Sequence, residues 1–229
     1  MKKLLYKEFK LCMHPMVMLF YLFALMLLIP NYLYLVPCFF TCNSLFYAFQ
    51  QGAASNDTLF TVLLPISKRK AVLSKLLFVV MVQIVMAALY VPMIFLNHAV
   101  FAGGNKAGID ACFTLIAAAF ILFSIFNLVF LPSFFKTGYK AGRSFLLASI
   151  AVFVWIFLCD GLFIASNSES LCSAVPFFKW VADTLDCWPA GPRELGIQLA
   201  LVGAGALIYG VSNLISYRLS VKRFEMVDL

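Results

Sequence analysis

The stretch FTLIAAAFILFSIFNLVFL, residues 113–131, decides the fold class, because it is apolar almost throughout and about long enough to cross a bilayer as a helix. Its apolar residues do not alternate with polar ones, as they do in the strands of a membrane barrel. Similar runs recur along the 229 residues, of which 64% are hydrophobic and 12% charged. A soluble domain is about 45–50% apolar and about 25% charged. The sequence therefore predicts an all-α integral membrane protein, with one transmembrane domain over residues 1–229 and no separate soluble domain.

The apolar runs divide into six predicted transmembrane helices. The first run, residues 17–49, is too long for one helix and about right for two, joined at Ile29-Pro30-Asn31. Proline interrupts the hydrogen bonds of a helix and asparagine favours turns. For the same reason we expect a kink at Pro92 and a helix end before Pro132. The predicted spans are about 15–29, 32–50, 71–96, 111–131, 144–165 and 195–217.

The basic residues predict the orientation of these spans. With the N-terminus inside, 14 cations fall in inner segments and 3 in outer segments, as the positive-inside rule requires. Both termini are therefore predicted to be cytoplasmic, and the net charge of +7 reflects orientation rather than binding to nucleic acid. The inner cations are Lys2, Lys3, Lys7, Lys10, Lys68, Arg69, Lys70, Lys75, Lys136, Lys140, Arg143, Arg218, Lys222 and Arg223; the outer ones are Lys106, Lys179 and Arg193.

The inner connection between the second and third spans carries helix signals of its own. Residues 55–57, Ser-Asn-Asp, can cap a helix, Pro65 ends it, and Ser67 can cap the next helix, on which Lys68 and Lys75 share a face. The apolar stripe of the first helix consists of Leu59, Phe60, Leu63 and Leu64. Two interpretations stay open: an interfacial helix on lipid headgroups, or a docking element for a cytoplasmic partner.

The stretch LPISKRKAVLSKLL, residues 64–77, resembles the cytoplasmic-loop signature of small ATP-binding-cassette type-2 permeases. The start MKKLLYKEFKL, residues 1–11, is similar to the short, basic, amphipathic N-terminal helix of the same family, and we do not expect it to be a cleaved signal. The chain length and the six-span layout also fit. The resemblance is to permeases of the phenol-soluble-modulin and antimicrobial-peptide exporter type.

This resemblance implies a permease subunit of the bacterial cytoplasmic membrane that works as a homodimer with two copies of a cytoplasmic ATPase. ATP and Mg²⁺ would bind the ATPase chains, and the exported substrate would be an amphipathic or antimicrobial peptide. The loop of residues 55–75 would contain the coupling helix. The residues assigned to ATPase coupling are Asp57, Leu59, Phe60, Leu63, Leu64, Pro65, Ser67, Lys68 and Arg69.

Patterns for catalysis and metal binding are weak in this chain. A phosphate loop reads G-x-x-x-x-G-K-[ST], and GGNKAG at residues 103–108 has a different spacing. No C-x-x-C occurs among the seven cysteines and there are two histidines, so we predict neither a metal site nor an enzyme. Most of the cysteines are expected to pack as small apolar side chains.

The outer side carries further candidates. Asp160, near the outer end of the fifth span, is either a solvated or hydrogen-bonded structural residue or part of a substrate path. Within the outer segment 166–194, the stretch AVPFFKWVADTLDCW, residues 174–188, predicts an amphipathic interfacial helix, which the family resemblance makes a candidate gate. The gate candidates are Asp160, Phe177, Phe178 and Trp180, and the candidate disulfide joins Cys172 to Cys187. In the sixth span Gly196, Ala200 and Ala204 favour close packing within the chain or a dimer seam.

A function of another class stays open, that of a non-transporting membrane immunity or sensor subunit that binds a partner protein. The two functions differ in the expected partner, because an exporter permease needs a nucleotide-binding subunit and the alternative does not.

The charge distribution makes the orientation testable. A cysteine introduced at Lys140 is expected to react with a membrane-impermeant thiol reagent only from the cytoplasm, and one at Lys106 only from outside. Labelling of intact cells and of inverted vesicles measures this difference. The reverse labelling pattern would reject the predicted orientation.

Overall fold

The computed structural model describes residues 2–12, 15–55, 67–100, 105, 107–137, 140–166 and 192–226. The regular structure within these residues is helical throughout, as the sequence predicts. Its helices are α1 (Lys2–Cys12), α2 (Pro15–Tyr21) continued by a 3₁₀ helix (Leu22–Leu28), α3 (Val36–Ala54), α4 (Lys68–Val100), α5 (Phe113–Thr137), α6 (Ala141–Ser166) and α7 (Pro192–Glu225).

Four helices in the described residues are long and apolar enough to cross a membrane: Lys68–Val100, Phe113–Thr137, Ala141–Leu162 and Gln198–Glu225. They overlap the last four predicted spans and are candidates for them by length and composition. Pro15–Leu28 is a shorter apolar helix, and the total of six spans stays a prediction. Helix α5 packs between α6 and α7 and holds much of the core, with Phe123, Phe126 and Phe130 fully buried.

The helix end predicted before Pro132 is wrong, whereas Pro92 lies inside a helix, in keeping with the predicted span of residues 71–96. Helix α5 continues through the buried Pro132 to Thr137, and α4 continues through Pro92 to Val100. Proline is tolerated inside membrane helices because neighbouring helices and polar side chains can satisfy the backbone groups that it leaves free. A proline alone therefore does not end a span here.

The first apolar run folds back on itself at the predicted joint. Asn31 has φ 54°, in the left-handed region that asparagine tolerates, and the rings of Phe23 and Phe40 from the two arms lie 4.5 Å apart. The first arm, Pro15–Leu28, is half 3₁₀ helix, which rises faster per residue than an α-helix. Its 14 residues therefore reach about 25 Å, close to the thickness of the hydrocarbon core.

A small-residue stripe does not pack where the sequence suggested. Gly196, Ala200 and Ala204 are exposed on α7, so the expected packing of this stripe within the chain is wrong. The close approach is made one residue further along, at Gly205. A Cβ added at Gly205 would lie 3.0 Å from the carbonyl oxygen of Ala117, so this glycine lets α7 lie directly against α5.

A fully buried cluster of polar side chains joins α4, α5 and α7 in the middle of the bundle. The amides of Gln83 and Asn127 exchange two hydrogen bonds, Nε2 to Oδ1 at 2.9 Å and Nδ2 to Oε1 at 2.8 Å. The Tyr209 hydroxyl donates to Gln83 Oε1 at 2.7 Å, and Asn127 Nδ2 donates to Asn213 Oδ1 at 2.9 Å. Ser216 Oγ donates to the Asn127 backbone carbonyl at 2.7 Å. Each of the three helices is thus bonded to the other two.

Replacing Asn127 by leucine is expected to lower the free energy of unfolding by about 2–3 kcal/mol. The change removes three side-chain bonds between helices, each worth about 0.6 kcal/mol on average in membranes, and leaves Gln83 partly unsatisfied. Denaturation of the detergent-solubilised protein measures the loss.

Ser124→Ala is the matched control on the same helix, because Ser124 Oγ bonds only its own helix, at Phe120 O, among the contacts described. We expect this control to lower stability less than Asn127→Leu does, because it removes no bond between helices. Equal stability of Asn127→Leu and wild type would contradict a structural role for the cluster.

Candidate functional site

Lys68, Arg69, Lys70 and Lys75, here called the basic island, lie at the start of a long helix. Ser67 directly precedes α4, and its backbone carbonyl accepts the amides of Lys70 at 2.9 Å and Ala71 at 3.3 Å. Lys68 and Arg69 therefore lie in the first turn of α4, which continues into an apolar span. Two other parts of the chain contact the basic island at the start of this span.

The first contact comes from α1. Lys75 Nζ donates to Glu8 Oε2 at 3.2 Å, and Glu8 and Lys75 are only 1% and 5% exposed. The ring of Phe9 lies 5.6 Å from that of Phe78, edge to face, and Lys75 Nζ lies 5.5 Å from the ring centre of Phe49 on α3. The N-terminal helix is thus docked on α4 by a buried ion pair between aromatic rings.

The second contact comes from the end of α7. Arg69 Nε donates to Glu225 Oε1 at 2.9 Å, and both side chains are exposed. Lys68 Nζ lies 5.7 Å from the ring centre of Phe224, which is itself buried against Phe135 at 5.2 Å. The helix at each end of the described chain therefore meets the first two turns of α4.

The two lysines predicted to share one helix face have different surroundings. Lys75 is buried and paired with Glu8, whereas Lys68 lies over the ring of Phe224. Of the cations assigned to coupling, Arg69 is paired with Glu225 within the chain. The sequence could not identify these acidic partners, because Glu8 and Glu225 are distant from α4 along the chain.

The other residues assigned to coupling lie outside the described residues. They are Asp57, Leu59, Phe60, Leu63, Leu64 and Pro65. The chain leaves α3 at Ser55 and begins α4 at Lys68. Phe49 near the end of α3 lies beside Lys75, so both ends of this segment are at the same end of the bundle as Glu8 and Glu225.

The opposite end of the bundle is organised by Asn105. Asn105 Nδ2 donates to the carbonyls of Tyr32 at 2.8 Å and Ile109 at 3.2 Å, and its backbone amide donates to Asp110. Asn97 Nδ2 donates to the Leu27 carbonyl at 2.6 Å. These bonds fasten Asn105, with Ile109 and Asp110, and the end of α4 to the chain on either side of the turn at Asn31.

Asp160 lies at this second end and is 3% exposed. Its Oδ1 accepts the Ile109 amide at 3.3 Å, and its Oδ2 is buried with no hydrogen-bond partner in the described part of the chain. A Cβ added at Gly108 would lie 2.5 Å from Oδ1, so the glycine admits the carboxylate against the backbone. Of the two roles predicted for Asp160, the hydrogen-bonded structural one has this direct geometric support.

Several candidates from the outer connection cannot be placed. Phe177, Phe178 and Trp180 and the cysteine pair Cys172 and Cys187 lie outside the described residues. Cys38, Cys42 and Cys112 are buried and unbridged, as expected of small apolar side chains. In the described ranges there is no group of three or more His, Cys, Asp or Glu side chains that could hold a metal ion.

A line of polar residues on α4 was missed, although the sequence carried a signal for it. Lys75, Gln83, Tyr90 and Asn97 recur at intervals of eight, seven and seven residues, which keeps them within about 80° of the helix circumference. All four are buried and bonded to other elements. A polar line along an apolar helix indicates the face that packs inside the protein.

Comparison with known proteins identifies one family. The family model described as "ABC-2 family transporter protein" matches residues 3–225 of the chain, which is nearly its whole length. No curated protein and no solved structure matches the chain.

Gly108→Ala is expected to lower the free energy of unfolding by about 1–3 kcal/mol, as overpacking of a filled site does. The added methyl must displace Asp160 or residues 107–109, which weakens the bond from Ile109. Thermal unfolding in detergent measures the change.

Gly161→Ala is the control at the same end, because a Cβ there meets nothing within 4 Å. Alanine is also the better helix residue, so this variant should gain about 0.5–1 kcal/mol. Unchanged stability of Gly108→Ala would show that residues 107–109 are not held by Asp160.

Proposed function

The chain belongs to the ABC-2 transporter family, and from this membership we propose that it is the permease of an ATP-driven exporter coupled to its ATPase through residues 55–75. Members of the family are membrane components of ABC transporters and are not themselves catalytic. The chain is accordingly a permease subunit, a multi-pass protein of the cell membrane that associates with an ABC ATPase. In the proposal, ATP and Mg²⁺ bind two separate ATPase chains.

The contacts at the start of α4 are the observation that supports coupling. A force that the ATPase applies to residues 56–66 would act on the first turn of α4, because α4 follows that segment in the chain. Glu8 and Lys75 connect this movement to α1. Leaving one partner of a buried ion pair unpaired costs about 3–5 kcal/mol, so the two helices are expected to move together. The exposed pair of Arg69 and Glu225 is worth only about 0–1 kcal/mol. At the start of α4, the contact with α1 is therefore the stronger one and the ion pair with the end of α7 the weaker one.

The transport path is proposed to lie between two copies of the chain. The centre of the described bundle is filled by buried phenylalanines and by the polar cluster around Asn127, whose bonds are made within the chain. Helices α6 and α7 instead present large apolar side chains outward, among them Phe157, Leu207 and Leu214. These faces are available to a second copy as well as to lipid. The homodimer itself follows from the family resemblance.

The proposed substrate is an amphipathic or antimicrobial peptide, moved out of the cell. This assignment is supported by the resemblance of residues 64–77 and 1–11 to exporters of such peptides. Asp160 and the outer connection, with Phe177, Phe178 and Trp180, are the proposed gate.

Purification of the tagged chain in mild detergent tests the proposal as a whole. A nucleotide-binding subunit in equal amount, with ATPase activity that responds to the permease, is the expected result. Purification with a different partner and no nucleotide-binding subunit would favour the immunity or sensor function.

The coupling segment is tested by Phe60→Ala combined with Leu64→Ala, which should abolish permease-stimulated ATPase activity. Each large apolar side chain contributes about 1.5–3 kcal/mol when buried in a partner, so losing two weakens docking by several kcal/mol. Lys68→Ala should have a mild effect, because an exposed charge contributes about 0–1 kcal/mol. Steady-state ATP hydrolysis by the reconstituted complex is the measurement.

Leu22→Ala combined with Leu25→Ala removes comparable exposed apolar side chains from the first arm of the chain, which the coupling proposal does not involve. This control should keep stimulated ATPase activity. Full activity of the Phe60 and Leu64 double variant would instead identify the segment as a helix that only lies on lipid.

A further inference from the structure

Seven residues of the first arm, Leu22–Leu28, form a 3₁₀ helix although their sequence favours an α-helix. The segment reads LFALMLL, which is rich in good helix formers and contains no glycine, proline or β-branched residue. A 3₁₀ helix of more than three or four residues is uncommon, because its hydrogen bonds have poorer geometry than those of an α-helix. The conformation is therefore imposed by contacts outside the segment.

Burial within the segment repeats every three residues, as a 3₁₀ helix requires. Ala24 and Leu27 are buried, whereas Leu22 and Leu25 are exposed. In an α-helix, residues three apart are turned by about 60° from one another, so Leu27 would leave the face that Ala24 occupies. Between Tyr21 and Leu27, conversion from a 3₁₀ to an α-helix turns the chain by about 120° in total.

Helix α4 holds the segment at both of its ends. The Tyr21 hydroxyl, just before the segment, donates to the Val82 carbonyl at 3.2 Å, and Asn97 Nδ2 donates to the Leu27 carbonyl at 2.6 Å. Val82 and Asn97 are 15 residues apart on α4, which is about 22 Å. From Tyr21 to Leu27 the chain rises about 12 Å as a 3₁₀ helix and about 9 Å as an α-helix. Conversion to an α-helix would therefore pull Leu27 back from Asn97 and turn it away.

The proline that follows the segment explains only its last turn. Pro30 has no N–H group to donate to the Met26 carbonyl, and the Ile29 amide bonds this carbonyl instead, at 3.1 Å. Ile29 is extended, with φ −93° and ψ 120°, as the residue before a proline prefers. Residues 22–25 lie beyond this effect, so the bonds to α4 are the contacts that account for the rest of the segment.

We propose that Leu22–Leu28 adjusts the length of the first arm to the thickness of the bilayer, and that Asn97 is the residue that holds it extended. In a thick bilayer the bond from Asn97 to Leu27 is kept and the segment stays a 3₁₀ helix. In a thin bilayer this bond opens, the segment becomes α-helical, and the arm shortens by about 3.5 Å. A mismatch between hydrophobic length and bilayer thickness costs free energy for every ångström, so the thin bilayer favours the shorter arm.

Shortening of the arm would also move the end of the bundle opposite to the basic island. Just beyond the turn at Asn31, the Tyr32 carbonyl accepts Asn105 Nδ2 at 2.8 Å. Asn105 in turn bonds Ile109, whose amide is held by Asp160. Bilayer thickness thus acts on the residues around Asp160 through the length of the first arm.

Pulsed electron–electron double resonance on the full-length chain tests the proposal. Spin labels are attached to unnatural amino acids at Met16 and Ile29, which are exposed near the two ends of the arm, so the native cysteines stay intact. In wild type the distance between the labels should be about 3.5 Å shorter in dimyristoleoyl than in dierucoyl phosphatidylcholine, which forms the thicker bilayer. Asn97→Leu should give the short distance in both lipids.

Tyr90→Phe is the matched control on α4. It removes the bond from Tyr90 to the Tyr34 carbonyl, beyond the turn, and leaves the contacts of Leu22–Leu28 unchanged. This control should keep the long distance in the thick bilayer. A second label pair at Leu146 and Phe157, both exposed on the regular helix α6, should show one distance in every sample.

Tyr21→Phe releases the other end of the segment and should also favour the short distance. Thermal unfolding of each variant shows whether the fold is kept, and Tyr21→Phe decides the question if Asn97→Leu does not fold.

Three results would overturn the proposal. One distance for wild type in both bilayers, unchanged in the variants, would show that the segment is rigid. The short distance in every sample would show that the segment is α-helical throughout. Equal shortening in Tyr90→Phe would indicate a general loosening of α4 rather than release by Asn97. None of these results bears on ATPase coupling through residues 55–75, which is measured separately.

Discussion

A polar side chain inside a bilayer finds no water to replace a hydrogen bond that breaks. The paired amides of Gln83 and Asn127 are the clearest case of this constraint in the structure. The hydrophobic effect does little to drive membrane helices together, because lipid is as apolar as their side chains, so packing and hydrogen bonds between helices carry the association. Tyr209, Asn213 and Ser216 complete the bonds, so α4, α5 and α7 have one arrangement in which all of these groups are bonded. The close contact of Gly205 with Ala117 brings α7 near enough for the cluster to form.

Helix α4 connects that centre to both ends of the bundle. Its buried polar residues bond to α1 at Lys75 and to α5 and α7 at Gln83. Tyr90 and Asn97 bond to backbone carbonyls on either side of the turn at Asn31. An axial movement of α4 would therefore strain contacts at three levels at once. A rigid-body movement of α4 with its partners keeps these bonds, and bending of α4 alone does not. The physical arrangement thus favours transmission along the whole helix over a local response near the loop.

The sequence predicted the class of fold because hydropathy and charge act locally: the run at residues 113–131 is helical, and the turn at Asn31 lies where proline and asparagine placed it. Pro132 misled the prediction, because packing by neighbouring helices compensates for a proline in ways that are not local. The partners of Lys75 and Arg69 could likewise not be predicted from the sequence. A single glutamate in α1 and another in α7 become partners only through the register of packed helices, which no short motif encodes.

The pairing of Arg69 with Glu225 also sets an order of assembly during synthesis. The two residues are 156 positions apart, whereas Glu8 and Lys75 are 67 apart. At a synthesis rate of about 5–20 residues per second, Arg69 waits on the order of ten seconds for its partner. Helix α1 can dock as soon as the start of α4 has emerged, but the basic end closes only when the last helix is complete. A chain interrupted before Glu225 has the contact of α1 with α4 but lacks the ion pair at Arg69.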